Sequence, residues 1–208
     1  VDDQVTYVGA TICLALGLRH NTVAAVQAAG DKYQMRQLFQ IAGLPTPQFQ
    51  QFEFDTDLRT ICRDINFPCV VKPLQFSGSK GVIRANNQSE LVDAIDRLRQ
   101  IVESEAESCP ENSTSQRAGR QSQESSTFLV EEFVAGPEIA LEGILHRGQL
   151  HVLALFDKPD AMDGPFFEET IYLTPSRLSV VDQQQIADCT QAAVAALGLT
   201  EGAIHAEV

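Results

Sequence analysis

Apolar and polar positions along the chain repeat with two periods, and the changes from one to the other mark out the elements. Val5, Val8, Ile12 and Leu16 fall on one helical face, which predicts a helix through Leu18 with Asp2 and Asp3 placed to cap it. Asn21 is placed to cap a short helix over 22–29. Asp31 opens another over 32–42, where Gly43 suits the C′ position and Pro45 and Pro47 prevent continuation. A strand over 48–54 is followed by a helix that Asp55, Thr56 and Asp57 cap and that ends at Ile65. Residues 67–73 read as a strand on which Val70 and Lys72 share a face, with 81–85 as the returning strand. Ser89 is positioned to cap a helix whose inward side is Leu91, Ile95, Leu98 and Val102.

Between 103 and 127 the pattern stops. That stretch holds no Val, Ile, Leu, Met or aromatic residue and is dense in Ser, Gln and Glu. It cannot bury enough apolar area to offset its ordering entropy, so a disordered insertion is expected. An inert insertion is favoured over a phosphorylated regulatory loop, since surface insertions are well tolerated. Beyond it the chain turns β-rich, with strands predicted over 128–134, 138–145, 150–156 and 169–173 and a hairpin turn at 145–149. A long helix over 181–197 ends at Gly198, and 202–208 form the last strand.

At 208 residues the chain can bury a substantial core but is short for two independent domains. Its 15 basic and 28 acidic residues argue against nucleic acid as a partner, because phosphate-backbone binding relies on Lys and Arg. Cys13, Cys62, Cys69, Cys109 and Cys189 include no C-x-x-C pair and make an odd total, a poor pattern for a disulfide framework or a zinc site. Cys13, Cys69 and Cys189 sit in apolar or helical context and read as core residues in a reducing cytoplasm. No signal peptide is found, and no apolar run approaches the ~20 residues of a membrane span. The chain starts at Val1 and stops at Val208 in mid-strand, which reads as a fragment.

Three segments carry chemistry. Val70-Val71-Lys72-Pro73 sets a lysine at the end of an apolar strand, Ser77-Gly78-Ser79-Lys80-Gly81 follows as a small-residue loop, and Glu131-Glu132-Phe133-Val134-Ala135-Gly136-Pro137-Glu138 supplies carboxylates. An ammonium on a strand neutralises phosphate charge, and backbone N–H groups of a Gly/Ser loop approach phosphate oxygens without Cβ interference. Acidic side chains hold Mg²⁺ or ribose hydroxyls. A Walker A loop is excluded because no Gly-Lys-Ser/Thr occurs, and a protein kinase because the loop follows the lysine and His-Arg-Asp and Asp-Phe-Gly are absent. An unpaired ammonium in an apolar strand is costly, so phosphate contact is favoured for Lys72 over a structural salt bridge. Glu138, Ala140 and Glu142 share one strand face, opposite Ile139 and Leu141, and point into a polar cleft or into water. His205 and Glu207 share a face of the last strand, with Ile204, Ala206 and Val208 turned to the core. His146 and His151 flank a hairpin turn as surface residues.

In this order the segments resemble the ATP-grasp superfamily, specifically its carboxylate–amine ligases. Asp31-Lys32-Tyr33-Gln34-Met35-Arg36, Gly43-Leu44-Pro45-Thr46-Pro47 and Gly202-Ala203-Ile204-His205-Ala206-Glu207 complete the series. Asp157-Lys158-Pro159, Phe167-Glu168-Glu169 and Thr174-Pro175-Ser176 are most similar to the amino-acid ligases that make dipeptides. The resemblance implies an α+β ATP-grasp fold of two lobes that hold ATP, after a Rossmann-like domain. The corresponding division is 1–18 as the tail of that domain, 19–102 as the small lobe with linker helices, 103–127 as the insertion and 128–208 as a truncated large lobe.

The resemblance also implies roles. Lys72 binds the α- and β-phosphates, Lys32 is a further phosphate ligand, and Ser77, Gly78, Ser79 and Gly81 form a lid to which Lys80 adds charge. Glu131, Glu132, Phe133 and Val134 form the hinge whose backbone reads adenine, Glu138 holds the ribose, and Glu207 ligates Mg²⁺. Lys158, Glu168 and Glu169 contact the γ-phosphate or the substrate. The implied reaction is phosphorylation of a carboxylate by ATP and attack of an amine on the acyl phosphate, with Mg²⁺ as cofactor. The implied partners are small-molecule carboxylates and amines, with a homodimer allowed. A carboxylase or carbamoyl-phosphate type of the same fold, and a non-catalytic nucleotide-binding module, are the alternatives.

Overall fold

Stripes of apolar side chains draw two antiparallel sheets and their helices into two units, the α+β class expected. The structure, a computed structural model, describes residues 3–108, 126–167 and 170–208. The elements run α1 (Asp3–Ala15), α2 (Val23–Gly30), α3 (Lys32–Ile41), β1 (Phe49–Glu53), α4 (Leu58–Asp64), β2 (Cys69–Pro73), β3 (Ile83–Ala85) and α5 (Gln88–Ser108). They continue with β4 (Thr127–Glu132), β5 (Glu138–His146), β6 (Gln149–Lys158), α6 (Val180–Ala196) and β7 (Glu201–Glu207).

The first unit comprises Pro47–Ala135 and the described part of Asp163–Glu168. Its sheet has the order β1-β4-β2-β3. Alternation along the strands turns Phe52, Cys69, Val71, Ile83, Ala85, Phe128 and Val130 to one face, where they pack with Ile61 of α4 and Leu91, Ile95, Leu98 and Val102 of α5. The α5 stripe is the one the periodicity predicts. Its cap is Asn87 rather than Ser89: the Asn87 side chain accepts from the Glu90 amide at 3.1 Å, and the Glu90 carboxylate accepts from the Asn86 amide at 2.9 Å. Hydrogen bonds from the Asn86 amide and side chain to the Glu90 carboxylate hold its carboxyl below the usual range. Helix α5 continues to Ser108, so the first residues of the expected insertion are helical. The rest of it, through 125, lies outside the described residues.

The second unit comprises the described parts of Val1–Thr46 and Glu169–Val208 together with Gly136–Met162. Its sheet has the order β6-β5-β7. Ile139, Leu141 and Leu155 face Leu150, Leu178, Ile186 and Ala206 in its core. The β5–β6 turn is the two-residue Arg147-Gly148, both at positive φ (52° and 78°), as a tight hairpin requires. Gln191 of α6 clamps it, donating to the Gly148 carbonyl at 3.0 Å and accepting from the Leu150 amide at 2.8 Å.

Several expectations are corrected. Thr22, not Asn21, caps α2, accepting from the Ala25 amide at 3.1 Å. Asn21 is used elsewhere, accepting from the Thr200 and Glu201 amides and donating to the Glu201 carbonyl, which ties it to the start of β7. Helix α1 stops at Ala15 because Gly17 turns left-handed (φ 66°), and Val5, Val8, Ile12 and Leu16 are exposed. No strand forms over the described part of 169–173. Leu173 only bridges Asp157, and the Asp157 carboxylate draws the following chain aside by accepting from Ser176 and the Arg177 amide. The boundary expected at 128 also falls elsewhere: β4 lies between β1 and β2 and so belongs with the first unit, whereas α2 and α3 belong with the second.

Leu98 is fully buried in the first core. Leu98→Ala is therefore expected to lower stability by about 2–5 kcal/mol, through lost transfer energy and a residual cavity. Arg97→Ala, on the exposed side of the same helix, should change it by no more than about 0.5 kcal/mol. Urea denaturation of both variants checks the contrast, and equal losses would contradict the inward stripe.

Candidate functional site

Each sheet turns a second face away from its core, and the chemistry-bearing residues gather there. In the first unit the β2–β4 and β2–β3 registers place Val70, Lys72, Leu129, Glu131 and Arg84 on that face. Lys72 and Glu131 stand diagonally across β2 and β4, and the ammonium forms an ion pair with the carboxylate. Both are well buried, at 13% and 5% side-chain exposure. The expectation that phosphate contact outweighs a structural salt bridge is thereby corrected in part: the salt bridge exists, because a buried ammonium requires a counter-charge.

The loop after β2 is built for close approach of backbone. Phe76, Gly78, Ser79 and Gly81 all have positive φ (81°, 65°, 55° and 75°). At Gly81 a Cβ would come within 2.8 Å of Leu98 Cδ1, so glycine is required by space as well as by conformation. Ser77 and Gly78 are exposed, Ser79 is half-buried and Gly81 is buried. Lys80 pairs with Glu105 of α5 at 2.5 Å and lies 5.8 Å from the Phe76 ring centre, so this loop is held at both ends. At the end of β4, Glu132 is exposed, Phe133 half-buried and Val134 exposed. Sequence reasoning missed Arg84, whose guanidinium lies 4.0 Å from the Phe133 ring centre. The signal was available, since Ile83 and Ala85 alternate with it as core residues.

In the second unit the corresponding face carries Glu138, Ala140 and Glu142 of β5, Phe156 and Lys158 of β6, and His205 and Glu207 of β7. Lys158 is almost fully buried (3%) and donates to both Glu138 and, at 2.6 Å, Glu207. The Tyr172 ring lies over the same ammonium, 5.2 Å away. Glu142 pairs with His205 at 2.7 Å, and His205 lies 3.9 Å from Glu207. Among the described residues this face thus carries three carboxylates, Glu138, Glu142 and Glu207, beside the one ammonium of Lys158. Lys32 begins α3 in this unit, half-buried. Glu168 and Glu169 lie outside the described residues.

Asp157, which sequence reasoning gave no role, fixes the chain beyond β6. It accepts from Ser176 Oγ at 2.5 Å and the Arg177 amide at 2.8 Å, and its backbone bonds Leu173 both ways. These hydrogen bonds hold its carboxyl below the usual range. A thiolate nucleophile is a poor reading of Cys69, because burial pushes its thiol up to about 11.

The chain is thus of the α+β class, with a strand lysine ahead of a glycine-rich turn in one unit and carboxylates on the polar face of each antiparallel sheet. The chain belongs to the ATP-grasp domain family, whose profile matches residues 65–208. It is 28% identical to the alanine–anticapsin ligase of Bacillus subtilis (strain 168), over 96% of this chain and 42% of that protein. The crystal structure of an L-amino acid ligase from Bacillus licheniformis superposes with a TM-score of 0.77 at 29% identity, covering 95% of this chain and 43% of the other. A biotin carboxylase from Campylobacter jejuni shares the fold alone, with a TM-score of 0.69 at 18% identity over 97% of this chain and 42% of its own. The chain thus spans about half the length of the relatives it matches. Among the described residues, no helix is long and apolar enough to cross a membrane.

Asp157 contributes stability that is complete above an unfolded carboxyl pKa of about 3.9 and is lost as pH falls through its own lower value. Asp157→Asn is expected to be less stable than the parent at pH 7 by about 1 kcal/mol, allowing for solvent screening. The gap should close as pH drops below about 4. Denaturant titrations from pH 7 to strongly acidic pH read this directly, and a gap independent of pH would contradict it.

Proposed function

We propose that the protein containing this chain is an ATP-dependent ligase that joins an amino-acid carboxylate to an amine through an acyl phosphate, releasing ADP and phosphate. The observation that carries the proposal is the buried Lys72 ammonium at the head of a loop in which four residues have positive φ. Phosphate oxygens are strong charge partners for such an ammonium, and the loop offers backbone N–H donors beside it. The similarity to amino-acid ligases along nearly the whole chain supports ligation over carboxylation.

In this reading Lys72 and Lys32 contact phosphates, and the amides of Ser77, Gly78, Ser79 and Gly81 cap them. The backbone at Glu131, Glu132, Phe133 and Val134 reads adenine, and Glu138 holds the ribose. Lys158 steadies the γ-phosphate as it moves to the substrate carboxylate, where a fixed positive charge lowers the barrier. Glu168 and Glu169 contact the substrate. Among the described residues no group of three or more His, Cys, Asp or Glu side chains could hold a metal. Mg²⁺ commonly takes one or two carboxylates with phosphate oxygens and water, so the half-exposed Glu207 fits it as a single protein ligand. When bound, Mg²⁺ supplies charge that offsets the negative charge of the triphosphate. Closure of the loop after β2 excludes water, which would hydrolyse the acyl phosphate. The four described cysteines are free thiols, in keeping with a cytoplasmic protein, and a homodimer is compatible with the reading.

Lys72→Met alone would take away the ammonium paired with the buried Glu131 carboxylate and cost about 3–5 kcal/mol, so it confuses binding with folding. Lys72→Met combined with Glu131→Gln removes both charges. In the full-length protein this double variant should melt close to the parent and bind Mg·ATP about 10- to 100-fold more weakly, the loss of a charge-assisted hydrogen bond. Unchanged affinity by calorimetry would refute the phosphate role of Lys72. The parent should release phosphate from ATP only when an amino acid and an amine acceptor are both supplied. Binding of Mg·ATP without turnover of any pair in a broad amino-acid panel would refute the ligase reading.

A further inference from the structure

The first unit includes a short segment that comes from elsewhere in the chain. Residues 163–167 leave the second unit after Met162 and lie along the outer edge of β3. Ile83 and Phe166 form an antiparallel bridge, and the Arg84 amide donates to the Pro165 carbonyl at 2.9 Å. The Arg84 side chain then spans two places at once. Its Nη1 donates to the Asp163 carbonyl at 2.7 Å and its Nε to Asn86 Oδ1 at 2.9 Å, while the guanidinium carbon lies over the Phe133 ring, 4.0 Å from its centre. Phe133 in turn packs against Phe167, with ring centres 6.4 Å apart. Gly164 is held against the stem of Arg84: it has φ +79°, and a Cβ there would come within 2.8 Å of Arg84 Cβ.

We infer that Arg84 is a positioning residue that couples the chain at Phe133 to the 163–167 segment, so that a nucleotide held by the 131–134 backbone and the placement of that segment stabilise each other. The inference rests on the nucleotide reading of 131–134. The physical basis is the rigidity of the contact. A guanidinium is planar, is always charged, and uses its edge for hydrogen bonds while its face stacks on a ring, so a single side chain fixes two backbones. Ordering one of them lessens the cost of ordering the other, and the coupling is equal in both directions. Lysine could reach Asp163 but has no plane to stack. Asn86 accepts from the guanidinium Nε just ahead of α5, which ties the pair to the start of that helix. A purely structural arginine would stabilise the fold without linking the two places, and that difference is measurable.

The test uses hydrogen exchange by mass spectrometry on the full-length protein, with and without Mg²⁺ and a non-hydrolysable ATP analogue. In the parent, the analogue should slow exchange at 163–167. Arg84→Met should speed exchange there about tenfold without nucleotide, and the analogue should no longer slow it. Gly164→Ala alters the coupling from the other end: although far in sequence from 131–134, it should weaken analogue affinity about five- to tenfold. Arg84→Lys, which keeps the charge, should fall between the parent and Arg84→Met and serves if the latter does not fold. Parent-like exchange at 163–167 in the Arg84 variants, or unchanged affinity in Gly164→Ala, would overturn the inference. If the parent binds no nucleotide, the proposed function fails, while exchange of the Arg84 variants in buffer alone still decides whether Arg84 holds the segment.

Discussion

A lysine ammonium buried on a β-sheet must meet a counter-charge, and in this chain that constraint is imposed twice. Lys72 and Lys158 both lie on the sheet face turned away from the core, and both are nearly inaccessible to water. The desolvation cost of an unpaired charge there would exceed the contribution of any single neighbouring contact. Carboxylates on adjacent strands offset it: Glu131 for Lys72, and Glu138 with Glu207 for Lys158. Because side chains alternate between faces, a one-residue slip in either register would bury these charges among Val71 and Phe128 or Ile139 and Leu141. The charged pairs therefore enforce the strand registers, and the registers assemble the site faces.

The same arrangement orders the chemistry. The Lys72 ammonium is paired with the Glu131 carboxylate on the neighbouring strand, and a phosphate oxygen is a charge partner of the same kind. Polar faces of this kind are consistent with membership of the ATP-grasp family and with the charge control that phosphoryl transfer needs. Among the described residues, the polar face of the second sheet carries Glu138, Glu142 and Glu207 beside Lys158.

Much of this was legible in the sequence where a single period or a local cap decides the outcome. Leu91, Ile95, Leu98 and Val102 announce the inward side of α5, and Asp31 with Gly43 bounds α3 through its cap and its left-handed C′ position. The faces of β5 and β7 followed from alternation, except that Val208, expected in the core, is exposed. What stayed hidden depends on contacts distant in sequence. A β-bulge between Glu142 and Gly143 leaves Leu153 unpaired on β6. Without that extra residue Asp157, not Lys158, would stand opposite Glu138. Alternation on a single strand carries no trace of it. Asn21 looked like a helix cap because its side chain suits one, yet the backbone of Thr200 and Glu201 offered it three bonds. Arg84 was passed over because its partners, Phe133 and Asp163, lie some 50 and 80 residues away along the chain, distances no local pattern encodes.

The most direct test of the central claim is a crystal structure of the full-length protein with Mg²⁺ and a non-hydrolysable ATP analogue. The account predicts Lys72 Nζ within hydrogen-bonding distance, about 2.7–3.2 Å, of an α- or β-phosphate oxygen. It also predicts Glu207 on the metal and Lys158 turned from it toward the γ-phosphate. A nucleotide bound elsewhere, with both ammonium–carboxylate clusters unchanged, would contradict it and would make Lys72 and Lys158 purely structural charges.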